Sequence, residues 1–190
     1  LGVVGLGAIG SMVAEMALTM GMDVIGYDPA LSVEAAWRLS SKVRKADNLA
    51  ALFARSDYIT LHLPVLDSTR GLINAELFSA MKKDACLLNF ARQEIVNEDD
   101  LLSALSANKL RKYIADFPSP DLIGRDDVIL MPHIGASTDE AEDNCAIMAA
   151  EQLRDFLENG NIRNSVNFPT LELERVRGCR LSVSNDNVPR

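Results

Sequence analysis

The sequence predicts an α/β fold, a doubly wound parallel sheet with helices on both faces, and three observations carry that prediction. Short apolar runs of strand type alternate with helical segments as far as Met131, and such alternation builds a parallel sheet covered on both sides. A glycine-rich turn, Gly5-Leu6-Gly7-Ala8-Ile9-Gly10, joins the first strand to the first helix. An acid, Asp28, closes the second strand 18 residues after Gly10.

Each element has its own signal. Leu1 to Val4 is an apolar strand, and the alanine- and methionine-rich stretch from about Ala8 to Met20 is a helix. Val24 to Tyr27 forms the second strand, followed by a polar stretch from Ser32 to Asp47 and a short helix near Asn48 to Ala54. Asp57 to Leu63 is a strand that Pro64 stops, because proline has no N–H for the ladder. Asn74 caps a helix reaching Lys83, and Ala85 to Phe90 returns to strand. Asn97 caps the next helix, with Glu98, Asp99 and Asp100 in the first turn, where the helix dipole favours acids. Two further strands are expected at Lys112 to Asp116 and Val128 to Met131. Ser137-Thr-Asp-Glu140 reads as a capping box. It opens the longest helix, Asp139 to Asn159, which Gly160 ends. Ala141, Cys145, Ala149, Leu153, Phe156 and Leu157 predict a buried stripe along it.

The glycine loop carries chemistry. Gly5 permits a tight turn, Gly7 removes a side chain that would block a pyrophosphate, and Gly10 lets helix pack against strand. The free N–H groups at the helix start, from Ala8 and Ile9 onward, then face phosphate. Asp28 can accept both ribose hydroxyls and repel a 2′-phosphate. No Arg or Lys follows it until Arg38, so the loop predicts NAD as cofactor, in preference to NADP.

Composition sets the outer limits. The chain has 190 residues, 48% hydrophobic and 24% charged, with a formal net charge of −8. The charge argues against nucleic acid and anionic membrane surfaces as partners. No apolar run reaches transmembrane length. Three scattered cysteines, Cys86, Cys145 and Cys179, have no metal-ligand spacing and read as reduced thiols of a cytoplasmic protein; no metal site is expected. From Phe168-Pro169 to Gly178 the pattern dissolves into a charged linker. The chain starts at Leu1, just before the glycine loop, and ends in what reads as an opening strand, so it is expected to be a piece of a longer protein.

Two histidines occur. His133 follows a strand and a proline and precedes Ile-Gly-Ala-Ser-Thr138. That places it in a loop at the carboxyl edge of the sheet, where ligands of open α/β sheets bind. A histidine there can act as an acid and base near neutral pH, although a lone loop histidine is also an ordinary surface residue. His62, at another strand end, has either a structural role or a place lining the cofactor cleft. Arg92 follows the strand Ala85 to Phe90 and can grip a carboxylate at two points.

Taken in order, Gly5 to Gly10 with Asp28, His62-Leu-Pro64, Ser68-Thr69, Asn89-Phe-Ala-Arg92, Asp116-Phe-Pro118 and Pro132-His133-Ile-Gly-Ala-Ser-Thr138 resemble the D-2-hydroxyacid dehydrogenases. Asn159 to Pro169 is similar to the segment that leads to a C-terminal regulatory part in the branch that oxidises 3-phosphoglycerate in serine biosynthesis. Residues from Arg180 onward resemble the first strand of a small-molecule-binding ACT domain. The resemblance implies an NAD-binding domain over 1–137, a long helix and return segment over 138–168, a linker over 169–178 and the start of a truncated ACT-like domain over 179–190. It implies that the first half of the substrate domain, which carries most substrate contacts, precedes Leu1. The chain alone is therefore expected to bind cofactor with negligible turnover.

Site roles follow from the same resemblance. His133 is implied as acid and base towards a small 2-hydroxy acid, and Arg92 as the carboxylate clamp. The family's histidine-pairing glutamate falls at Asp121, one methylene shorter, which also reads as a solvated loop acid. Asp116 is implied to face the nicotinamide end of the cleft. Gly5, Gly7, Ala8, Ile9, Gly10, Asp28, His62, Pro64, Thr69, Ala91, Arg92, Asp116, His133 and Gly135 make up the implied cofactor-contacting set. The hydroxyls of Ser68 and Thr69 either meet the cofactor or belong to an ordinary turn. Gln93 replaces the family's glycine, which leaves the backbone of that turn in question. Asn187 falls where the regulatory domain contacts its inhibitor serine. A homodimer is implied. Two alternatives remain at this stage: a family member acting on glycerate, lactate or another 2-hydroxy acid, and an NAD-sensing binding module of the corepressor type.

Overall fold

The computed structural model describes residues 1–174, 178–181 and 183, and at Glu34 the backbone alone. Two compact units divide at His133 and Ile134.

The first unit is built on seven parallel strands, β1 (Gly2–Val4), β2 (Ile25–Tyr27), β3 (Arg44–Lys45), β4 (Tyr58–Leu61), β5 (Cys86–Asn89), β6 (Lys112–Ala115) and β7 (Val128–Leu130). Their order is β3-β2-β1-β4-β5-β6-β7, so the winding reverses between β1 and β4. Five helices connect them: α1 (Ala8–Thr19), α2 (Val33–Arg38), α3 (Leu49–Arg55), α4 (Ala75–Ala80) and α5 (Glu98–Ser106). This is the doubly wound sheet the alternation predicts.

Alternate strand residues face opposite sides, and the core divides accordingly. Val3, with Leu6, Ala14, Ala17 and Val24, packs beneath α1. Val4 faces the larger cluster under α3, α4 and α5, where Leu52, Phe53, Ile59, Leu61 and Leu87 are fully buried. Truncating a side chain such as Phe53 to alanine costs about 3–5 kcal/mol.

Caps set the helix starts. Asn48 accepts the N–H of Ala51 at 2.8 Å. Asn74 accepts those of Glu76 and Leu77, and Asn97 accepts that of Asp100 at 3.1 Å. The polar stretch 32–47 holds more order than its composition suggests. Ser32 caps α2 by accepting the N–H of Ala35, and the two-residue β3 adds an edge strand beside β2. Helix α4 ends at Ala80, three residues short of the expected limit.

The second unit contains α6 (Asp139–Asn159), ended by Gly160 with φ of 69°. Its cap is Thr138, whose hydroxyl accepts the N–H of Ala141 at 3.2 Å. The expected capping box at Ser137 is thus shifted by one residue, which moves Glu140 out of the reciprocal position. The expected buried stripe is not buried: among the described residues no side chain of α6 is buried, and Leu153, Phe156 and Leu157 are well exposed. The spacing shows an amphipathic face, and only packing turns such a face into a core. After α6 the chain doubles back through an antiparallel bridge between Ile162 and Leu171. Arg163 ties the return to Asp155 and Glu172. The proposed regulatory strand and Asn187 lie largely or wholly outside the described residues.

Candidate active site

Because all seven strands are parallel, every loop leaving a strand end emerges at the same carboxyl edge. The glycine loop, Asp28, His62, Arg92, Asp116 and His133 all follow strand ends there. The first unit therefore gathers residues from six loops along one edge, around the winding reversal where open α/β sheets bind ligands.

The glycine loop is closed by contact with β4. Gly5 has φ of +89°, and a Cβ there would lie 2.5 Å from the His62 carbonyl oxygen. A Cβ on Gly10 would lie 1.9 Å from the Gly5 carbonyl oxygen, so the turn closes only without a side chain at either position. Gly7 is different, for a Cβ would meet nothing within 4 Å. The space above it is open, and α1 begins there without a side-chain cap. Its first N–H groups, at the exposed Ala8 and Ile9, are available to phosphate oxygens.

Asp28 is held in place by its neighbours. Oδ2 accepts the Leu6 N–H at 2.8 Å and Oδ1 that of Ala30 at 2.9 Å. These bonds fix the carboxylate while leaving lone pairs for hydroxyl donors. Beside it a cavity of about 520 Å³ runs between Leu6, Tyr27, Leu31 and Leu39 on one side and β3 on the other. Arg44 and Lys45 line that wall. Reading the chain in linear order misses them, since only the pairing of β3 with β2 brings them near Asp28. Arg44 is engaged with Asp23 at 2.8 Å.

His62 is half-buried, and its Nε2 lies 3.0 Å from the Thr60 hydroxyl. Burial holds its imidazole below the ordinary histidine range, so the ring is neutral and packs beside the glycine loop. Thr69 donates to the Pro64 carbonyl at 2.6 Å and accepts from the Leu66 N–H at 2.8 Å. Its hydroxyl closes the turn that begins at Pro64.

Arg92 leaves β5 on a turn shaped by the buried Asn89. Asn89 Nδ2 donates to the Arg92 carbonyl at 3.0 Å, and its Oδ1 accepts the Ala91 N–H at 3.2 Å. The guanidinium donates one bond back to the Ala91 carbonyl at 2.7 Å and is otherwise exposed. Gln93 begins a short 3₁₀ turn, Gln93–Ile95. Among the described residues only Asp84, Asn108 and Asn164 combine a side chain with positive φ, so glutamine fits this turn without strain.

His133 Nδ1 lies 2.9 Å from Asp116 Oδ2, and its ring meets Phe117 at 4.8 Å between centroids. The Asp116 side chain is 14% exposed and that of His133 51%. An Nδ1–H donated to the carboxylate leaves the Nε2 lone pair open to the edge of the sheet. The second oxygen, Asp116 Oδ1, is buried and without a hydrogen-bond partner among the described residues. Asp121 is exposed, and among the described residues no hydrogen bond or ion pair reaches it. Beneath the pair, burial pushes the Tyr113 hydroxyl up to about 12, the nearby charges of Glu98 and Asp116 adding to the rise while the bond from Asn89 opposes it. Gly135 lies in the second unit.

The residues fit NAD: an uncapped helix start over an open glycine, an anchored acid beside a cavity, and a buried orphan acceptor at the far end of the same edge. Among the described residues no cluster of His, Cys, Asp and Glu is placed to hold a metal ion, and no helix is long and apolar enough to cross a membrane.

Comparison with known proteins points to one family. Residues 1–135 match the model of the D-isomer specific 2-hydroxyacid dehydrogenase NAD-binding domain. A D-3-phosphoglycerate dehydrogenase of Synechocystis sp. is 41% identical over 177 residues, 90% of this chain and 31% of that protein. That of Haemophilus influenzae is 36% identical over the whole of this chain and 48% of its own length. Among solved structures, the NAD-complexed D-isomer specific 2-hydroxyacid dehydrogenase of Lactobacillus delbrueckii ssp. bulgaricus superposes with a TM-score of 0.77 at 27% identity. It covers 87% of this chain and 55% of that one. The chain spans about a third to a half of the length of the curated relatives it matches.

Proposed function

The chain belongs to the D-isomer specific 2-hydroxyacid dehydrogenases, and we propose that in the whole protein it serves the oxidation of 3-phosphoglycerate to 3-phosphohydroxypyruvate. The observation that carries the reading is the His133–Asp116 pair on the same sheet edge as the glycine loop. The similarity to D-3-phosphoglycerate dehydrogenases supports this substrate over other 2-hydroxy acids.

NAD, when bound, supplies the hydride acceptor. The loop from Gly5 to Gly10 and the start of α1 would hold its pyrophosphate, and Asp28 would hold the adenine ribose. His133 Nε2 takes the proton of the substrate's C2 hydroxyl, while Asp116 keeps the ring in the Nδ1–H tautomer and stabilises the imidazolium that forms. Arg92 grips the substrate carboxylate with the N–H groups it does not spend on Ala91. The orphan oxygen of Asp116 is an acceptor for an amide donor at the nicotinamide end. Asp121 remains the competing candidate for the carboxylate that assists His133.

Two finer points complete the reading. The outward face of α1 presents Ile9, Met12, Met16 and Met20 to solvent, a surface that a second copy would cover in a homodimer. Three cysteines without a disulfide suit a reducing cytoplasm. The test is NADH formation by the whole protein with 3-phosphoglycerate, set against glycerate and lactate. Turnover with glycerate or lactate but not with 3-phosphoglycerate overturns the substrate; no turnover with any overturns the enzyme.

A further inference from the structure

Glu98 sits at the first position of α5, outside the residues that the proposed chemistry uses. Its two carboxylate oxygens reach in two directions. Oε2 accepts from Gln93 Nε2 at 3.2 Å, in the turn that carries Arg92. Oε1 accepts a short bond from the Ser119 hydroxyl, in the loop that carries Asp116 and Phe117. Ser119 is 6% exposed, so its bond to the carboxylate is shielded and is stronger than a surface contact of the same length. The two loops leave neighbouring strands, β5 and β6. Asn89 adds a second cross-link below, donating to the Arg92 carbonyl and to the Tyr113 hydroxyl on β6.

We infer that Glu98 is a positioning residue: through Gln93 and Ser119 its carboxylate ties the Arg92 turn to the Asp116 loop and so sets the guanidinium relative to the His133–Asp116 pair. The inference rests on the dehydrogenase reading, because it assigns Glu98 no chemistry of its own.

The physical expectation follows from catalysis by orientation. Substrate clamp and base must hold a shared geometry, and a displacement of about 1 Å can cost about 100-fold in rate. Losing the tie lets each loop relax separately, without touching the glycine loop or Asp28.

The test has two arms. In the whole enzyme, Glu98→Ala is expected to lower kcat about 10-fold, with the KM for NAD unchanged. Gln93→Ala and Ser119→Ala are expected to lower it less, and to add nothing in the Glu98→Ala background. Glu98→Gln, which keeps an acceptor for Ser119 while presenting an amide to Gln93, should recover part of the loss. An unchanged kcat in a folded Glu98→Ala variant overturns the inference, as does additivity of the single variants. The second arm needs no turnover. In nitrogen-15 amide spectra of this chain, Gln93→Ala should shift Ser119 and Asp116 in the parent background and leave them unmoved in Glu98→Ala. If wild type lacks dehydrogenase activity yet this propagation is present, the tie stands and the functional reading falls. If propagation is absent, the tie itself falls.

Discussion

The two ends of the sheet edge are built differently. Around β1 and β2 the site grows from one motif: Gly5, Gly7 and Gly10 fall in one turn, and Asp28 reaches back 22 positions to Leu6 within a single βαβ unit. Around β5, β6 and β7 no such motif exists, and contacts between separate loops build the site. His133 meets Asp116 across 17 positions, Glu98 meets Ser119 across 21, and Asn89 meets Tyr113 across 24. The cofactor end is thus a glycine motif and an acid carried by one βαβ unit, whereas the catalytic end is a set of contacts that exists only once three strands have paired. A substitution at one end should leave the other intact.

The largest effect is expected from His133→Asn. Removing the base should lower turnover of the whole enzyme by about 100- to 10,000-fold, while NADH titration of this chain gives an unchanged dissociation constant. Loss of NADH binding in that variant would show that the two ends are one cooperative site.

Next comes the contest between two acids. Asp116→Asn keeps the shape but removes the charge that faces an imidazolium, and is expected to cost turnover on the order of 100-fold. Asp121→Asn should change it less than about 3-fold, as for an exposed group without partners. The reverse ranking would give Asp121 the role that the family's glutamate holds.

That contest marks where sequence reading stops. The apolar strands, the glycine loop and the caps at Asn74 and Asn97 were legible because each depends on residues within a few positions of one another, and Asp28 because it ends the strand that follows that loop and its helix. Three things were not. Edge strand β3 is only Arg44 and Lys45, a pair with no apolar signal, so the charged wall facing Asp28 is invisible in the linear chain. Helix α6 carries the spacing of a buried stripe but buries nothing among the described residues, because periodicity reports a face and not what meets it. The pairing partner of His133 is of the same kind. Spacing by analogy points to Asp121, while Asp116 lies at the end of β6, next to the strand that delivers His133.

A smaller effect is expected at the cofactor end. Asp28→Ala removes charge-assisted bonds to the ribose, each worth about 1.5–3 kcal/mol, and should weaken NADH binding about 10- to 100-fold. NADPH should weaken less or gain, since the repelling charge is gone and Lys45 stands on the cavity wall. Fluorescence energy transfer from Trp37, which is exposed on α2, reads both titrations, with calorimetry as an independent check. Equal weakening of both cofactors would mean that Asp28 acts only by holding Leu6 and Ala30 in place.

The smallest effect concerns His62, which stands between the two ends, under the glycine loop. Burial lowers its pKa in the folded protein, whereas in the unfolded chain it titrates near the ordinary value of about 6.5. Above that value the ring is neutral in both states and costs nothing. Below it the unfolded chain takes up a proton that the folded chain resists, so stability must fall as pH drops from about 6.5 towards the folded pKa. One proton limits the slope to about 1.4 kcal/mol per pH unit. Urea unfolding of wild type and His62→Gln between pH 7.5 and 5 isolates this contribution, because the carboxylates titrate alike in both. The wild-type curve should fall more steeply below pH 6.5 and the two should run parallel above it. Parallel curves throughout would mean that the ring takes up its proton without disturbing the fold, leaving the glycine loop insulated from its own floor.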